Sequence, residues 1–197
     1  MSIYRMPIAA GATHTVDFAC QDYAGKHLDL TGYAPRMQMR RSAADQSPAF
    51  GFTNDRLAII QCALQCRFVV ATSSPLVIHC EAHELAVDEA VQFSTTNTLP
   101  NGLTPGTTYY VIATGLTPWA FMVSDTPGGA PVYGTGTPAG VHTVTVVAPG
   151  VVRLTLPPSV TTTMSGDYVY DIEIEAPSFE VYRIVEGLAP VSPEVTR

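Results

Sequence analysis

The chain is 197 residues long, enough for one domain or for one domain with a smaller module. Only 14% of the residues are charged, against roughly 25% in an ordinary soluble domain. A formal net charge of −7 leaves no basic face for broad nucleic-acid binding, and no apolar run reaches the roughly 18 residues of a membrane-spanning helix.

The first residues, Met1-Ser2-Ile3-Tyr4-Arg5-Met6-Pro7, lack the basic stretch and apolar core of a signal peptide. Synthesis in a cytoplasm follows as the expectation, with Cys20, Cys62, Cys66 and Cys80 starting reduced. Residues 14–21 alternate and end at a turn, 22–26. Residues 28–33 lead into a half-buried strand at 36–40, with Met37 and Met39 on one face and Arg36, Gln38 and Arg40 on the other. Residues 55–72 fit a short helix or a strand equally well, because a short apolar run has no decisive period.

From 90 to 152 the only charged side chain is Asp125. The same stretch is dense in Thr, Gly and Pro at short spacing, which marks turns between short strands. The runs 91–95, 107–113, 120–124 and 141–147 are β-branched and aromatic and read as those strands. Residues 151–156 form a further strand, 157–164 have room for one helical turn, and 168–175 alternate Tyr168, Tyr170, Ile172 and Ile174 against Val169, Asp171, Glu173 and Glu175. A turn at Pro177-Ser178 precedes a last strand, 180–188. The fold class is therefore all-β: an antiparallel β-sandwich from 1–75 plus 149–197, with a second, smaller β-module inserted at 76–148.

Cys62, Cys66, His79 and His83 match the C-x3-C-x12-H-x3-H spacing of a zinc finger. That finger needs its second half helical, and here it reads as strand, turn, strand, so no metal is expected. The four cysteines remain candidates for disulfides or buried thiols; Cys66 and Cys80 flank the Ser73-Ser74-Pro75 turn, so a hairpin could bring them together. Asp171, Glu173 and Glu175 share a strand face, which paired carboxylates of a glycosidase could use, but an acidic outer face is the ordinary state of an amphipathic strand. Gly134, Gly136 and Gly140 precede a strand rather than the helix that a phosphate loop requires. Trp119 with Phe121, Tyr109 and Tyr110 could stack on a sugar or could be core. No catalytic residue, cofactor or metal is expected.

Three stretches, Leu28-Asp-Leu-Thr-Gly-Tyr-Ala-Pro-Arg-Met-Gln-Met-Arg40, Ser165-Gly-Asp-Tyr-Val-Tyr-Asp-Ile-Glu-Ile174 and Glu186-Gly-Leu-Ala-Pro-Val-Ser-Pro-Glu-Val-Thr-Arg197, resemble a family of small tailed-bacteriophage virion proteins. The resemblance implies a sandwich like the N-terminal domain of upper baseplate proteins, and the insert looks like a β-module of phage tail and fibre proteins. It further implies a structural, non-enzymatic role in a baseplate, tail or neck. The partners would be other virion proteins and further copies of the chain, with neither nucleic acid nor membrane. A receptor- or glycan-binding module using Trp119, Tyr109 and Tyr110, and a cell-wall-degrading enzyme using the 171–175 face, are the alternatives. The insert and the four cysteines depart from the family's common form.

Overall fold

The computed structural model describes residues 3–69 and 75–193. The expected turn residues Ser73 and Ser74, and the last four residues of the C-terminal motif, 194–197, lie outside the described residues. In chain order the strands are β1 (Ile3–Arg5), β2 (Ile8–Ala9), β3 (His14–Ala19), β4 (Ala34–Arg40), β5 (Phe50–Phe52), β6 (Leu57–Ile60), β7 (Ala63–Val69) and β8 (Val77–His79). They continue with β9 (Ala90–Thr95), β10 (Thr108–Thr117), β11 (Ala120–Ser124), β12 (His142–Val146) and β13 (Val151–Leu156). A single helical turn, α1 (Pro158–Thr161), precedes β14 (Gly166–Glu175) and β15 (Val181–Ser192). The fold is all-β. Of the segment whose period is ambiguous, 55–72, the described residues 55–69 are strand wherever they are regular, as β6 and β7.

The chain divides into two compact units: Met1–Cys20 with Leu30–Ile60 and Val151–Arg197, and Gln21–Asp29 with Gln61–Gly150. The first unit holds two sheets. One runs β1-β15-β14-β4-β5 with β2 also on β15, and the other runs β3-β13-β6. Pairing is not antiparallel throughout, as the sequence suggests: β1 and β2 both run parallel to β15. The long β14–β15 hairpin offers one strand edge to the N-terminal segment, and Pro7 divides that segment into two short strands. Side chains from both sheets meet in one core. Met37 and Met39 of β4, Tyr168, Tyr170, Ile172 and Ile174 of β14, and Leu154 and Leu156 of β13 are all at most 4% exposed. The alternation of β4 and β14 thus sets their inward faces as their sequences indicate.

β1 lies so close to β15 that Gly187 leaves no room for a side chain. A Cβ there would stand 1.8 Å from the Tyr4 carbonyl oxygen and 2.8 Å from its carbon. The same carbonyl accepts the Tyr170 hydroxyl at 3.2 Å. Gly187→Ala is therefore expected to displace β1 and to lower stability by about 1–3 kcal/mol, the usual cost of overpacking. Chemical denaturation checks this; an unchanged midpoint would contradict the β1–β15 register.

The second unit is a closed barrel, β10-β11-β8-β7-β12-β9. Its interior gathers Leu76, Ile78, Val91, Phe93, Val111, Phe121, Val123, Val144 and Val146, each at most 1% exposed. By sequence, β7 falls in the flanking segment 1–75; it is hydrogen-bonded to β8 and β12 and supplies a barrel wall. Residues 21–29 are grouped with the barrel as well, although the strands on either side of them, β3 and β4, belong to the first unit.

Candidate functional site

The most concentrated polar chemistry of the barrel unit is a group of buried His27 and Glu89 with half-buried Cys62. Its geometry starts with a tight turn. Gln21 bridges to His27, the Ala24 and Lys26 amides donate to Asp22 Oδ1 at 2.8 and 3.0 Å, and Gly25 takes the left-handed backbone (φ 80°) that closes the loop. His27 therefore leaves the turn at a fixed place. Glu89 is set one residue before β9. Its backbone donates to Ala86 and accepts from Val111, and it shares the inward parity of Val91 and Phe93.

Both Glu89 oxygens are used. Oε1 accepts the His27 backbone N–H at 2.9 Å and faces His27 Nδ1 at 2.6 Å; Oε2 accepts the Ala86 N–H at 2.9 Å. Both side chains are only 2% exposed. A hydrogen bond between the ring and Cys62, joined by the one to Glu89, outweighs burial and pushes the His27 pKa up to about 9. Burial opposes ionisation of Glu89, but the His27 ring and the two amides hold its carboxyl below the usual range. The pair is thus an imidazolium–carboxylate bridge at neutral pH. Carboxylate, imidazole and thiol in a row is the order of an activated nucleophile. Here, however, neither of the two clefts described below is lined by any of the three residues, and the ring is sealed. What the group does is fasten residues 21–29 to the start of β9. Gly150 completes the fit: a Cβ there would come within 2.8 Å of His27 Cβ and 2.7 Å of the Leu28 carbonyl.

The barrel also carries a groove of about 1060 Å³. β7 contributes Cys66 and Arg67, the β8 end contributes His79, Cys80 and Glu81, and Trp119 and His142 complete the wall. Trp119 is 61% exposed on the turn between β10 and β11. Tyr109 is not its companion. It lies in the barrel core at 3% exposure, and its hydroxyl accepts the Thr104 amide at 2.9 Å, so its ring is unavailable to a sugar. Tyr110 alternates to the other face of β10. Sequence adjacency suggests one aromatic patch, and strand alternation divides it.

The cysteine–histidine spacing does not converge either. Cys66 faces the barrel interior, His79 is exposed on the opposite face of β8, and His83 is buried with its ring 5.2 Å from that of Phe121 and its Nδ1 accepting the Leu85 amide at 3.0 Å. Among the described residues, no group of three or more His, Cys, Asp or Glu side chains is placed to share a metal ion. All four cysteines are free thiols. Burial pushes the Cys20 thiol up to about 11.

In the first unit, Asp171, Glu173 and Glu175 form an ion-pair ladder rather than an isolated acidic face. Arg36 contacts Glu173 at 2.8 Å and Glu175 at 3.6 Å; Arg183 contacts Asp171 and Glu173 at 3.6 Å and Glu186 at 3.1 Å. The register places Arg36 and Arg183 on either side of Glu173 across neighbouring strands. A shallow cleft of about 450 Å³ lies over this face, lined by Gln38, Arg40, Asp171, Arg183 and Glu186 among others.

No protein-family model matches the chain, and no curated protein matches it.

Proposed function

We propose that the chain is a non-enzymatic structural component of a tailed-phage virion, in the baseplate, tail or neck. It would assemble through protein–protein contacts with other virion proteins and with copies of itself. In this reading the first unit is a discontinuous β-sandwich and the barrel is a module inserted into it. The observation that carries the proposal is the nearly uncharged outer surface of one stretch of the barrel unit, residues 90–152; the charged exposed residues Arg67, Glu81 and Glu84 lie before it. Between 90 and 152 the exposed side chains are Thr, Asn, Pro, Gly and a few apolar residues, with Asp125 as the only charge. Such a surface loses little solvation energy when covered, and charge depletion marks the buried core of protein interfaces. An exposed apolar patch in the first unit supports the same reading. At the tip of the β14–β15 hairpin Phe179 is 83% exposed, next to exposed Val181 and Tyr182. The resemblance of residues 28–40, 165–174 and 186–197 to small virion proteins points the same way.

The test is to remove the coding sequence from the phage genome and examine the particles. Loss of assembled particles, together with detection of the protein in purified wild-type virions, is the expected result. Intact particles assembled without the protein would overturn the proposal.

A second reading, a glycan- or receptor-binding module, is favoured by one feature: Trp119 exposed at the barrel groove. Binding on a glycan array that disappears in Trp119→Ala would support it; the structural reading expects no such binding.

A further inference from the structure

We infer that Cys66 and Cys80 are a poised cross-strand pair that closes to a disulfide when the protein meets a disulfide oxidant, stapling β7 to β8. The register carries the argument. β7 and β8 pair Arg67 with His79, Phe68 with Ile78 and Val69 with Val77. One step further sets Cys66 directly opposite Cys80, with both side chains on the inward face. The Cys80 amide donates to the Trp119 carbonyl at 3.0 Å, so its backbone groups face β11, away from β7. Cys66 and Cys80 are therefore a non-hydrogen-bonded pair, the type whose Cα atoms approach to about 4.5 Å. That separation falls inside the roughly 4.4–6.8 Å that a disulfide spans. The Cys80 thiol presently donates to the Gln65 carbonyl at 3.2 Å, beside the residue it would bond.

Access and reactivity fit a slow, conditional reaction. Both cysteines line the barrel groove while being 5% and 3% exposed. Burial pushes the Cys66 thiol up to about 12 and raises that of Cys80, so both are protonated at neutral pH and exchange slowly even with a disulfide reagent present. The chemistry is two thiol–disulfide exchanges. One thiol of the pair attacks a small disulfide RSSR, forms a mixed disulfide and releases one RSH, which keeps the proton. The second thiol then attacks the protein sulfur of that mixed disulfide and releases the other RSH. Two cysteine thiols are oxidised, and one RSSR is reduced to two RSH. The remaining cysteines are outside this cross-strand register: Cys62, although near enough to Cys80 to raise its thiol, bonds the His27 ring, and Cys20 lies in the other unit.

The bond would tie Cys66 to Cys80 across a 15-residue loop, which removes freedom chiefly from the unfolded chain. The proposal does not depend on the virion reading. The test uses the full chain, reduced and then equilibrated overnight with glutathione disulfide, blocked with iodoacetamide, digested and mapped by mass spectrometry. Cys62 and Cys66 share one tryptic peptide, so fragmentation of the linked peptide assigns the bridge. A monomeric Cys66–Cys80 bridge, reversed by dithiothreitol and raising the melting temperature by about 6–12 °C, is the expected result. Cys80→Ser, equilibrated in the same way, should show no such rise. Recovery of both thiols as alkylated products, a persistent glutathione adduct on either, a bridge through Cys62, or a bridge between two chains would each overturn the inference.

Discussion

Glu89→Ala is expected to destabilise the protein by about 3–5 kcal/mol, read as a lower midpoint in urea or guanidinium denaturation. The size follows from what is left behind. Removing one partner of a sealed ion pair strands the other charge and every donor it satisfied. Here those donors are the His27 ring at 2.6 Å and the His27 and Ala86 amides, both at 2.9 Å. Glu89→Gln should fall between wild type and alanine. Its carbonyl oxygen can still accept both His27 groups, but its NH₂ would then confront the Ala86 amide, donor against donor. A glutamine variant as damaged as the alanine one would mean that charge, rather than hydrogen-bond geometry, dominates the site.

The same pair sets a pH dependence. His27 has a folded pKa of about 9 against 6.5 unfolded, so its contribution is complete below 6.5 and is lost as pH rises through 9. The Glu89 carboxyl is lowered from 4.5, so its contribution is complete above 4.5 and is lost as pH falls through its folded pKa. Burial lowers the pKa of His14 and His142, and their contribution is complete above 6.5 and declines toward acid. Stability measured against pH should therefore peak near 6.5. In Glu89→Ala the decline between 6.5 and 9 should become shallower, because His27 loses the carboxylate's hydrogen bond and charge while keeping the bond to Cys62. An alkaline slope identical to wild type would show that Glu89 does not hold the His27 proton.

Local pattern was legible in the sequence, and closure was not. Period-two alternation put Met37, Met39, Tyr168, Tyr170, Ile172 and Ile174 on the inward faces that the structure gives them. β1 and β2 carry no such signal, because strands of three and two residues are too short to show a period; they exist through parallel pairing to β15, far along the chain. The barrel closes through β7 against β8 and β12, and whether 55–72 was strand or helix could only be decided by those partners. Glu89 did leave a trace. It continues the 89, 91, 93 parity whose other members, Val91 and Phe93, point inward, so a carboxylate on an inward position announced a buried partner. Its identity as His27, 62 residues away, followed from no spacing rule.

Phe121→Ala should cost about 3–5 kcal/mol, as loss of a fully buried aromatic ring usually does. Phe121 is 0% exposed, sits opposite Ile78 across β11 and β8, and packs its ring edge-on against His83. The cost falls at the upper end where the surroundings cannot collapse into the vacated space. In the barrel each of the six strands is hydrogen-bonded on both sides, so no free edge can slide inward to fill it. Phe121→Leu should cost clearly less, since the remaining cavity is smaller. The chain's one tryptophan, Trp119, is already 61% exposed, so the loss is read by circular dichroism across a denaturant titration. Equal losses for leucine and alanine would show that the ring's contact with His83, and not cavity volume, sets the energy at this position.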